Sequence, residues 1–526
     1  MMRARVFLRL VKRQIFQILN GGFDSILLKL IARSSSNNFL GSLNILRIVN
    51  IVAKRLLELK KYSKGSEVAQ LDRLLPKLLI TLRPVSNQEI ATAITEGKEL
   101  RRNELFSKER EIYSELSKKV PASIEALSLL ASSKYLDGDI RGWMDDYKKI
   151  LKISGEESDR RFGDDHELRV MGVSWTGPMG HLAQIDAIVK LSRLGQLSPE
   201  KRILVTNTSQ IANSALLNLW RGHIDVFQLS DREYSRFAKI YYPIFEHVPC
   251  IKCVDGNLNQ TTAWSNANFL WEKQGNSPLL QVSGDIEARG RKVLRRWGLD
   301  ENAWFVGLHV RDGQHSRRRR LPNADLATYL PAIRRIIELG GAVIRMGNPG
   351  MPALPKMQGL VDYAHSVERV DWMDVFLWGK SKFFIGTNSG GSDVPQVFGV
   401  PVIKSNFSHI GQSFYAPNSF MVPKLFRNKR SGQLLTLSEI FESPFAWTVS
   451  MSHDGFEIEV IDNDPDDLVD AVNEMHLSLK TQKSAFAGED KSEYSQRSES
   501  IRKKYGALGD LPIGNRFLAK YRDLIQ

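Results

Sequence analysis

The stretch VGLHVRDG, from Val306 to Gly313, has the pattern of a buried β-strand that ends in charged residues. Later in the chain, the apolar run Phe383–Ile385 is followed by the turn GTNSGG, residues 386–391. Ligands of open parallel α/β sheets bind just beyond the carboxyl ends of the strands. We therefore expect Arg311 and the 386–391 turn to meet at one crevice, although they are distant in sequence.

These two groups have the chemistry of a diphosphate site. The guanidinium of Arg311 carries a permanent charge with forked N–H groups, which match phosphate oxygens. A glycine-rich turn at the start of a helix presents its N–H groups to the same kind of anion. Both motifs also have a purely structural interpretation. A strand-end arginine can pair with a carboxylate such as Asp312, and a left-handed turn needs glycine for steric reasons.

Two further segments belong to the same predicted site. The strand 341–346 ends at Arg345, followed by a Gly/Pro turn, and residues 362–366 (DYAHS) offer groups that could hold a ribose or a base. The residues predicted to bind a nucleotide-sugar donor are His309, Arg345, Gly347, Asp362, Tyr363, His365, Gly386, Thr387, Asn388, Ser389, Gly390 and Gly391.

The body of the chain alternates strands with helices in two sets, which predicts parallel sheets covered on both faces. The first set contains predicted strands at Leu168–Trp175, 202–206, 223–228 and 246–254, and the second at 304–310, 341–346, 382–386 and 400–404. Each set has the size of an ordinary domain. The fold class is therefore α/β, with a pair of Rossmann-like domains.

Residues 86–154 are predicted to be helical and contain a period. Phe106 and Ile140, Tyr113 and Tyr147, and Leu116 and Ile150 are each 34 residues apart. This period resembles tetratricopeptide repeats, in which two helices form each unit. About two units are present, too few for a free-standing solenoid. A plain four-helix segment is the alternative, and the repeat interpretation adds a possible protein partner.

The charge of the chain is concentrated at its N-terminal end. Of the net +14, residues 1–84 contribute +12, from 16 Lys/Arg and 4 Asp/Glu. Apolar residues at helical spacing over 2–20, and more weakly over 24–33 and 42–61, predict basic amphipathic helices. Such helices suit an anionic membrane surface, or a face that packs on the rest of the protein. No recognised nucleic-acid motif accompanies the charge, so we predict no nucleic-acid partner.

The two cysteines, Cys250 and Cys253, are too few for a disulfide framework. Their spacing matches a redox pair, but we interpret them as buried side chains in a reduced cytosol. No run reaches the ~18 uncharged apolar residues of a spanning helix. Basic residues interrupt the first apolar segment, unlike those of a signal peptide. The predicted location is cytoplasmic, with peripheral attachment to the inner face of the membrane through residues 1–61.

The run from His309 to Pro401 resembles a bacterial glycosyltransferase family of GT-B type that is associated with tetratricopeptide repeats. The matching pieces are LHVRD, the 323–329 segment, VIRMGNP, DYAHS, DWMDVFLWGKSKFFIGTNSG and FGVPV. The HVRD tip is also distantly similar to the arginine motif of the fucosyltransferase superfamily. The resemblance implies a two-lobed GT-B fold, Arg311 on the donor diphosphate, and no metal ion or cofactor. The chain departs from the fucosyltransferase pattern at Asp312-Gly313 and in the basic run Arg317–Arg320. We interpret this run as a solvated loop, and contact with phosphates or a lipid-linked acceptor is the alternative.

Three residues are candidates for catalysis. Arg311 would stabilise charge on the departing diphosphate, an interaction stronger in the transition state than in the ground state. His181 has a near-neutral pKa in its ordinary range, which suits it to deprotonate an acceptor hydroxyl, and Asp312 is the alternative base. By the resemblance, the turn that contains Gly177 and Gly180 faces the acceptor. The triplet Asp462–Asp464 imitates a metal-binding pattern, but it directly precedes Pro465 and is predicted to be a helix cap.

The predicted domains are a basic amphipathic helical region (1–84), tetratricopeptide-like helices (85–155), an acceptor domain (165–290), a nucleotide-sugar donor domain (296–480), and a polar segment with a terminal helix (481–526). The predicted function is transfer of a sugar from a nucleotide sugar to a glycan or lipid-linked acceptor in surface polysaccharide synthesis. A non-catalytic adaptor, a sugar-nucleotide epimerase on the same two-lobed plan and a nucleic-acid binder are the alternatives. Product analysis and nucleotide-sugar binding distinguish them.

Overall fold

A computed structural model gives the fold of the chain. It describes residues 88–102, 105–119, 123–137, 139–162, 168–241, 245–246, 248, 250–300, 302–311, 321–443, 446–447, 457–481, 496 and 507–525. These residues fall into two compact units. One consists of Asn87–Ile153, Arg169–Gln228 and Phe245–Gln526, and the other includes Ser154–Leu168 and Leu229–Ile244.

Several predictions concern residues outside this description. They are the basic amphipathic region 1–84 with its membrane surface, Asp312 and Gly313, the arginine run 317–320, and most of the polar segment 482–506. Among the described residues, no helix combines the length and the apolar character needed to cross a membrane.

Four helices come first in the described chain. They are α1 (Gln88–Arg102), α2 (Phe106–Lys119), α3 (Ile124–Leu136) and α4 (Ile140–Phe162). Tyr113 and Leu116 on α2 are buried, and so are their counterparts Tyr147 and Ile150 on α4. The helical segment is therefore present, and its assignment to tetratricopeptide repeats stays a prediction.

The first α/β lobe is built on a small sheet. Its strands β1 (Leu168–Met171), β2 (Lys201–Asn207) and β3 (Asp225–Leu229) lie in that order. The helices of this region are α5 (Met179–Arg193), α6 (Ser214–Trp220), α7 (Asp231–Tyr241) and α8 (Gln260–Lys273), and β4 (Cys250–Cys253) pairs antiparallel with β5 (Gly256–Asn259). The predicted strand 168–175 is shorter than expected, because residues Val173–Trp175 form a 3-10 turn. Helix α6 begins at Ser214, because Asn213 caps it by accepting the Leu216 N–H.

The second lobe contains a six-stranded sheet. Its strands are β6 (Phe305–His309), β7 (Ala342–Arg345), β8 (Leu360–Val361), β9 (Phe383–Gly386), β10 (Val402–Phe407) and β11 (Phe420–Pro423). They lie in the order β11-β10-β9-β6-β7-β8, and every neighbouring pair is parallel. The predicted α/β class with a parallel sheet is confirmed. The chain proceeds from β6 outward to β8 and then returns to the other side of β6, so the topological switch point lies between β6 and β9.

Alternate residues of these strands enter two different apolar clusters. Phe305, Ile344 and Phe384 pack on the side of the first lobe, whereas Val306 and Phe383 pack on the opposite side. Helices α9 (Gly284–Arg296), α10 (Leu330–Glu338), α11 (Asp371–Lys380), α12 (Gly390–Val397) and α14 (Pro465–Thr481) accompany this sheet. Burial of both faces explains why the strands read as continuous apolar runs rather than as alternating ones.

The C-terminal part of the chain was only partly predicted. Strands β12 (Leu425–Asn428) and β13 (Ile458–Ile461) form an antiparallel pair, and α13 (Leu437–Glu442) lies between them in the sequence. Helix α14 follows β13, and α15 (Asn515–Lys520) comes later in the chain. Residues 508–513 then join both lobes. The Leu508 N–H donates to Asn266 Oδ1 at 2.7 Å on α8, and Ile513 pairs with Met421 on β11.

Gly307 on β6 tests the packing of this sheet. A methyl group at Gly307 would overlap the ring of Phe384, its register partner on β9, and that ring is fully buried. We expect Gly307→Ala to lower the free energy of unfolding by ~1–3 kcal/mol, because the overpacked ring has no space into which to move. Gly284→Ala is the matched control, since a methyl group there meets no atom within 4 Å. Equal melting temperatures of the two variants would contradict this packing.

Candidate active site

Arg311 and the 386–391 turn lie side by side at the switch point. The backbone N–H of Arg311 donates to Thr387 Oγ1 at 3.0 Å. The Thr387 N–H donates in turn to the carbonyl of His309 at 3.1 Å, which continues the β6–β9 register beyond Gly386. Ser389 Oγ and His309 Nδ1 are 2.9 Å apart. The structure therefore brings together the groups of this turn and the tip of β6, and α12 begins immediately after them.

The residues that follow β10 form hydrogen bonds with this turn. Asn388 Nδ2 donates to His409 Nε2 at 3.0 Å, and Asn388 Oδ1 accepts the Ser408 N–H at 3.2 Å. His409 Nδ1 then lies 3.2 Å from Ser408 Oγ. Because Nε2 accepts a hydrogen bond, His409 is neutral and carries its proton on Nδ1. His409 was not predicted from the sequence, although its position just after a buried strand was the available signal.

The tip of β10 has an unusual backbone. Asn406 adopts a left-handed conformation with φ of 49°, where the pairing between β10 and β11 shifts its register. Its N–H donates to Asn463 Oδ1 at 2.6 Å, and the Asn463 N–H donates back to Asn406 Oδ1 at 2.7 Å. This reciprocal pair holds the turned backbone that delivers Ser408 and His409 to the site. Asn463 is therefore structural, as is Asp464, which caps α14 by accepting the Asp467 N–H at 2.9 Å.

Both histidines of the site are neutral at ordinary pH. Burial lowers the pKa of His409 to about 3, and Lys404 adds to that effect. Burial also lowers the pKa of His309 to about 4, helped by the charges of Arg345, Arg311 and Lys404. Cations that disfavour a protonated histidine create a positive potential at the same place, and such a potential attracts an anion.

The first lobe reaches this site through the N-terminus of α5. A Cβ on Gly390 would lie 2.8 Å from Gly180 Cα, so the backbones of α5 and α12 are in contact where both helices begin. The positive ends of two helix dipoles therefore face one region. In the preceding turn, a Cβ added to Gly177 would lie only 3.3 Å from the carbonyl oxygen of Val173. Gly180 thus lies at the site, whereas the structure gives Gly177 a steric role in its turn.

His181 follows Gly180 and is partly exposed. Its Nδ1 lies 2.8 Å from the carbonyl oxygen of Ser174. A carbonyl only accepts, so Nδ1 carries the proton and Nε2 keeps its lone pair. Burial lowers the pKa of His181, and the nearby charge of Asp393 opposes that change. A neutral imidazole with an available Nε2 can take a proton from a hydroxyl group.

The other predicted donor-site residues form a separate network. Arg345 is fully buried and binds Asp362 Oδ1 at 2.8 Å and the Pro352 carbonyl at 2.7 Å. His365 Nδ1 lies 3.0 Å from Asp362 Oδ2. These contacts organise the loop that follows β7, where Gly347 has a φ of 156°.

Tyr363 is likewise buried and donates to Asp374 Oδ1 at 2.8 Å on α11. Burial raises the pKa of Asp374 to about 6. Asn213 of the first lobe donates to the other oxygen of Asp374 at 3.2 Å. Tyr363 therefore takes part in a contact between the lobes.

The remaining candidates are a metal site and the two cysteines. The structure gives no group of three or more His, Cys, Asp or Glu side chains that could hold a metal ion among the residues it describes. Cys250 and Cys253 are both reduced and lie at positions i and i+3 of one strand. That spacing separates their Cα atoms by ~10 Å, too far for a disulfide. Burial raises the pKa of Cys250 to about 12 and that of Cys253 to about 11, so neither is a ready nucleophile.

Comparison with known proteins gives distant structural matches. No protein-family model and no curated protein matches the chain. A glycosyl transferase of family 9 from Veillonella parvula is 12% identical with a TM-score of 0.32, over 49% of this chain and 86% of its own. The E. coli ADP-heptose lps heptosyltransferase II is 12% identical with a TM-score of 0.35, over 60% and 99%. E. coli heptosyltransferase WaaC, solved with ADP-2-deoxy-2-fluoro heptose, is 13% identical with a TM-score of 0.26, over 48% and 92%. Values this low leave the question of function to the chain's own residues.

Adjacent glycines of the turn should differ sharply in their tolerance of a side chain. Gly390→Ala would push the added methyl group into the backbone of Gly180, whereas at Gly391 the nearest atom is 3.5 Å away, on the His309 ring. We expect Gly390→Ala to lower the melting temperature and weaken nucleotide binding, because the two helix N-termini must separate. Gly391→Ala is the matched control and should melt like the wild type. The same melting temperature and affinity for both variants would contradict the contact between α5 and α12.

The two neutral histidines should make stability depend on pH. Their folded-state pKa values, about 4 for His309 and about 3 for His409, lie below the ordinary value of 6.5. The unfolded chain therefore binds more protons between these values, and stability present above pH 6.5 is lost as the pH falls toward 4. The expected slope is on the order of 1.4 kcal/mol per pH unit for each histidine. Urea unfolding of the wild type and His409→Gln measures it, and equal slopes for the two proteins would contradict a buried neutral His409.

Proposed function

We propose that this chain is a glycosyltransferase of GT-B architecture. It moves a sugar from a nucleotide-sugar donor to a hydroxyl group of a glycan or lipid-linked acceptor in surface polysaccharide synthesis, and it needs no metal ion. The observation that carries this proposal is the meeting of Arg311, Thr387 and the start of α12 at the switch point between β6 and β9. An arginine, a hydroxyl-rich turn and a helix N-terminus are the groups that bind a diphosphate.

The second lobe holds the donor in this proposal. When the bond between the sugar and the diphosphate breaks, negative charge develops on the leaving oxygen. In this proposal, the guanidinium of Arg311 and the N–H groups at the start of α12 stabilise that charge. The neutral His309 and His409 hold Ser389 and Asn388 of the turn in position. The loop beside the donor is supported by Arg345, Asp362, Tyr363 and His365. In this proposal, these residues do not make the principal contacts with the donor phosphates.

The first lobe presents the acceptor. His181 takes the proton of the acceptor hydroxyl on Nε2 as the oxygen attacks the anomeric carbon. The Ser174 carbonyl fixes the tautomer that leaves Nε2 unprotonated. Asp312, which directly follows Arg311, is the alternative base. In the same proposal, residues 1–61 attach the enzyme to the membrane surface that carries a lipid-linked acceptor, and the helices at 85–155 bind a protein partner.

The central test compares the wild type with Arg311→Ala across a panel of nucleotide sugars that includes ADP-heptose. We expect the variant to lose turnover by roughly 10²–10³-fold, because one charged stabiliser of the leaving group is removed. Intact-mass detection of the glycosylated acceptor and of the released nucleoside diphosphate measures this loss. Arg427→Ala is the control, since Arg427 is 42% exposed and pairs with Glu459 between β12 and β13. Unchanged turnover in Arg311→Ala would remove Arg311 from the mechanism.

The same panel distinguishes the alternatives. Conversion of a nucleotide sugar without an acceptor would indicate an epimerase, and binding without any turnover would indicate an adaptor. Turnover that persists in EDTA supports the metal-free mechanism, whereas its loss and recovery with a divalent cation would contradict that part of the proposal.

A further inference from the structure

Asp393 is a buried carboxylate in the first turn of α12. Lys404 on β10 pairs with Asp393 Oδ1, and Lys404 Nζ also donates to the Ser392 carbonyl at 3.0 Å. The Lys404 residue is 1% exposed and the Asp393 side chain is 19% exposed, so the pair is largely removed from water. A buried ion pair is seldom a gain in stability over an apolar pair of similar volume. Its presence beside the proposed site therefore calls for a role in chemistry or in specifying the structure.

The other oxygen of Asp393 lies next to the first lobe. A Cβ on Gly180 would be 3.5 Å from Asp393 Oδ2, and Gly180 directly precedes His181 on α5. The carboxylate thus occupies the place where the N-termini of α5 and α12 meet. Both helix dipoles favour a negative charge at that place.

His181 and Asp393 influence each other's charge. The negative charge of Asp393 raises the pKa of His181 against the lowering effect of burial. Burial raises the pKa of Asp393, and the charges of Lys404 and His181 oppose that rise. Within the first lobe, His181 Nδ1 bonds the Ser174 carbonyl, and Asp393 of the second lobe, paired with Lys404, is the acidic group whose charge acts on the pKa of His181.

We propose that Asp393 is a positioning residue which stabilises the protonated form of His181 from the opposite lobe. This inference rests on the proposed function. In the transfer step, the acceptor O–H bond breaks and its proton goes to His181 Nε2. The acceptor oxygen bonds to the anomeric carbon, and the electron pair of the broken sugar–phosphate bond leaves on the diphosphate.

The step creates an imidazolium, and a carboxylate held close to it lowers the energy of that charge. Lys404 keeps Asp393 ionised before the proton arrives. Because the base is on the first lobe and its counter-charge is on the second, the pair is complete only where α5 and α12 touch. Proton transfer therefore depends on the contact between α5 of the first lobe and α12 of the second.

The experiment measures the pKa of His181 directly in the full-length protein. The wild type, Asp393→Asn and the double variant Asp393→Asn/Lys404→Met are labelled with ¹³C at histidine Cε1 and titrated by NMR. His181→Gln identifies the resonance. The double variant keeps the charge of the pair balanced, so it avoids the uncompensated buried lysine of the single variant. Asp371→Asn is the control, because Asp371 accepts the Ser214 N–H at 2.6 Å in a different contact between the same lobes.

We expect the pKa of His181 to be highest in the wild type, lower by roughly one pH unit in the double variant, and lowest in Asp393→Asn. Asp371→Asn should titrate like the wild type. A His181 pKa in the double variant equal to that of the wild type would overturn the inference, even if Asp393→Asn fails to fold.

A kinetic measurement separates this role from a merely structural one. In the double variant, the acid limb of the kcat–pH profile should move to lower pH and the plateau should fall, while the KM for the nucleotide sugar stays unchanged. A changed KM with an unmoved acid limb would show that Asp393 only shapes the donor site. The NMR titration needs no turnover, so a failure of the proposed function leaves the result on Asp393 readable.

Discussion

The direct backbone contact between Gly180 and Gly390 is the constraint on which the rest of the site depends. With no side chain at either position, α5 and α12 begin at the same place and point their positive ends into one region. Everything arranged around that point follows from the contact. The glycine-rich turn reaches Arg311, His181 approaches the second lobe, and Asp393 is enclosed between two helix termini. A bulkier residue at either glycine would replace a single site with two separated halves.

Three ion pairs with a buried member lie in the two lobes, and one of them, Lys404–Asp393, is beside this contact. Lys404 pairs with Asp393, Arg345 with Asp362, and Asp186 with Lys190 at 2.6 Å. Such pairs are costly to remove from water and add little net stability. They do fix geometry, because a half-formed pair leaves an uncompensated charge. Such fixed geometry suits the diphosphate site that we propose.

The sequence was sufficient to predict the parallel sheet of the second lobe and the edge at which Arg311 and the 386–391 turn meet. Continuous apolar runs ending in Arg311 and Gly386 predict adjacent parallel strands, and the structure has β6 beside β9. Sequence patterns were less informative where one residue depends on a distant one. The short parallel strand β11 was missed, and Asn463 was read together with its acidic neighbours instead of with Asn406. Arg345 illustrates the same difficulty. From the sequence, a strand-end arginine that faces a ligand cannot be distinguished from one that pairs with a carboxylate, as Arg345 does with Asp362.

The segment 508–513 has a consequence for how the molecule is made. Its Leu508 N–H bonds to Asn266 on α8, Gly509 accepts from Ser265 Oγ at 2.7 Å, and Ile513 pairs with β11. During synthesis these residues leave the ribosome long after both sheets have emerged. The segment can make these contacts only after α8 and β11 have been synthesised, because it follows both in the sequence. A chain without residues 508–513 would therefore lack a direct backbone link between the first lobe and the outer edge of the six-stranded sheet.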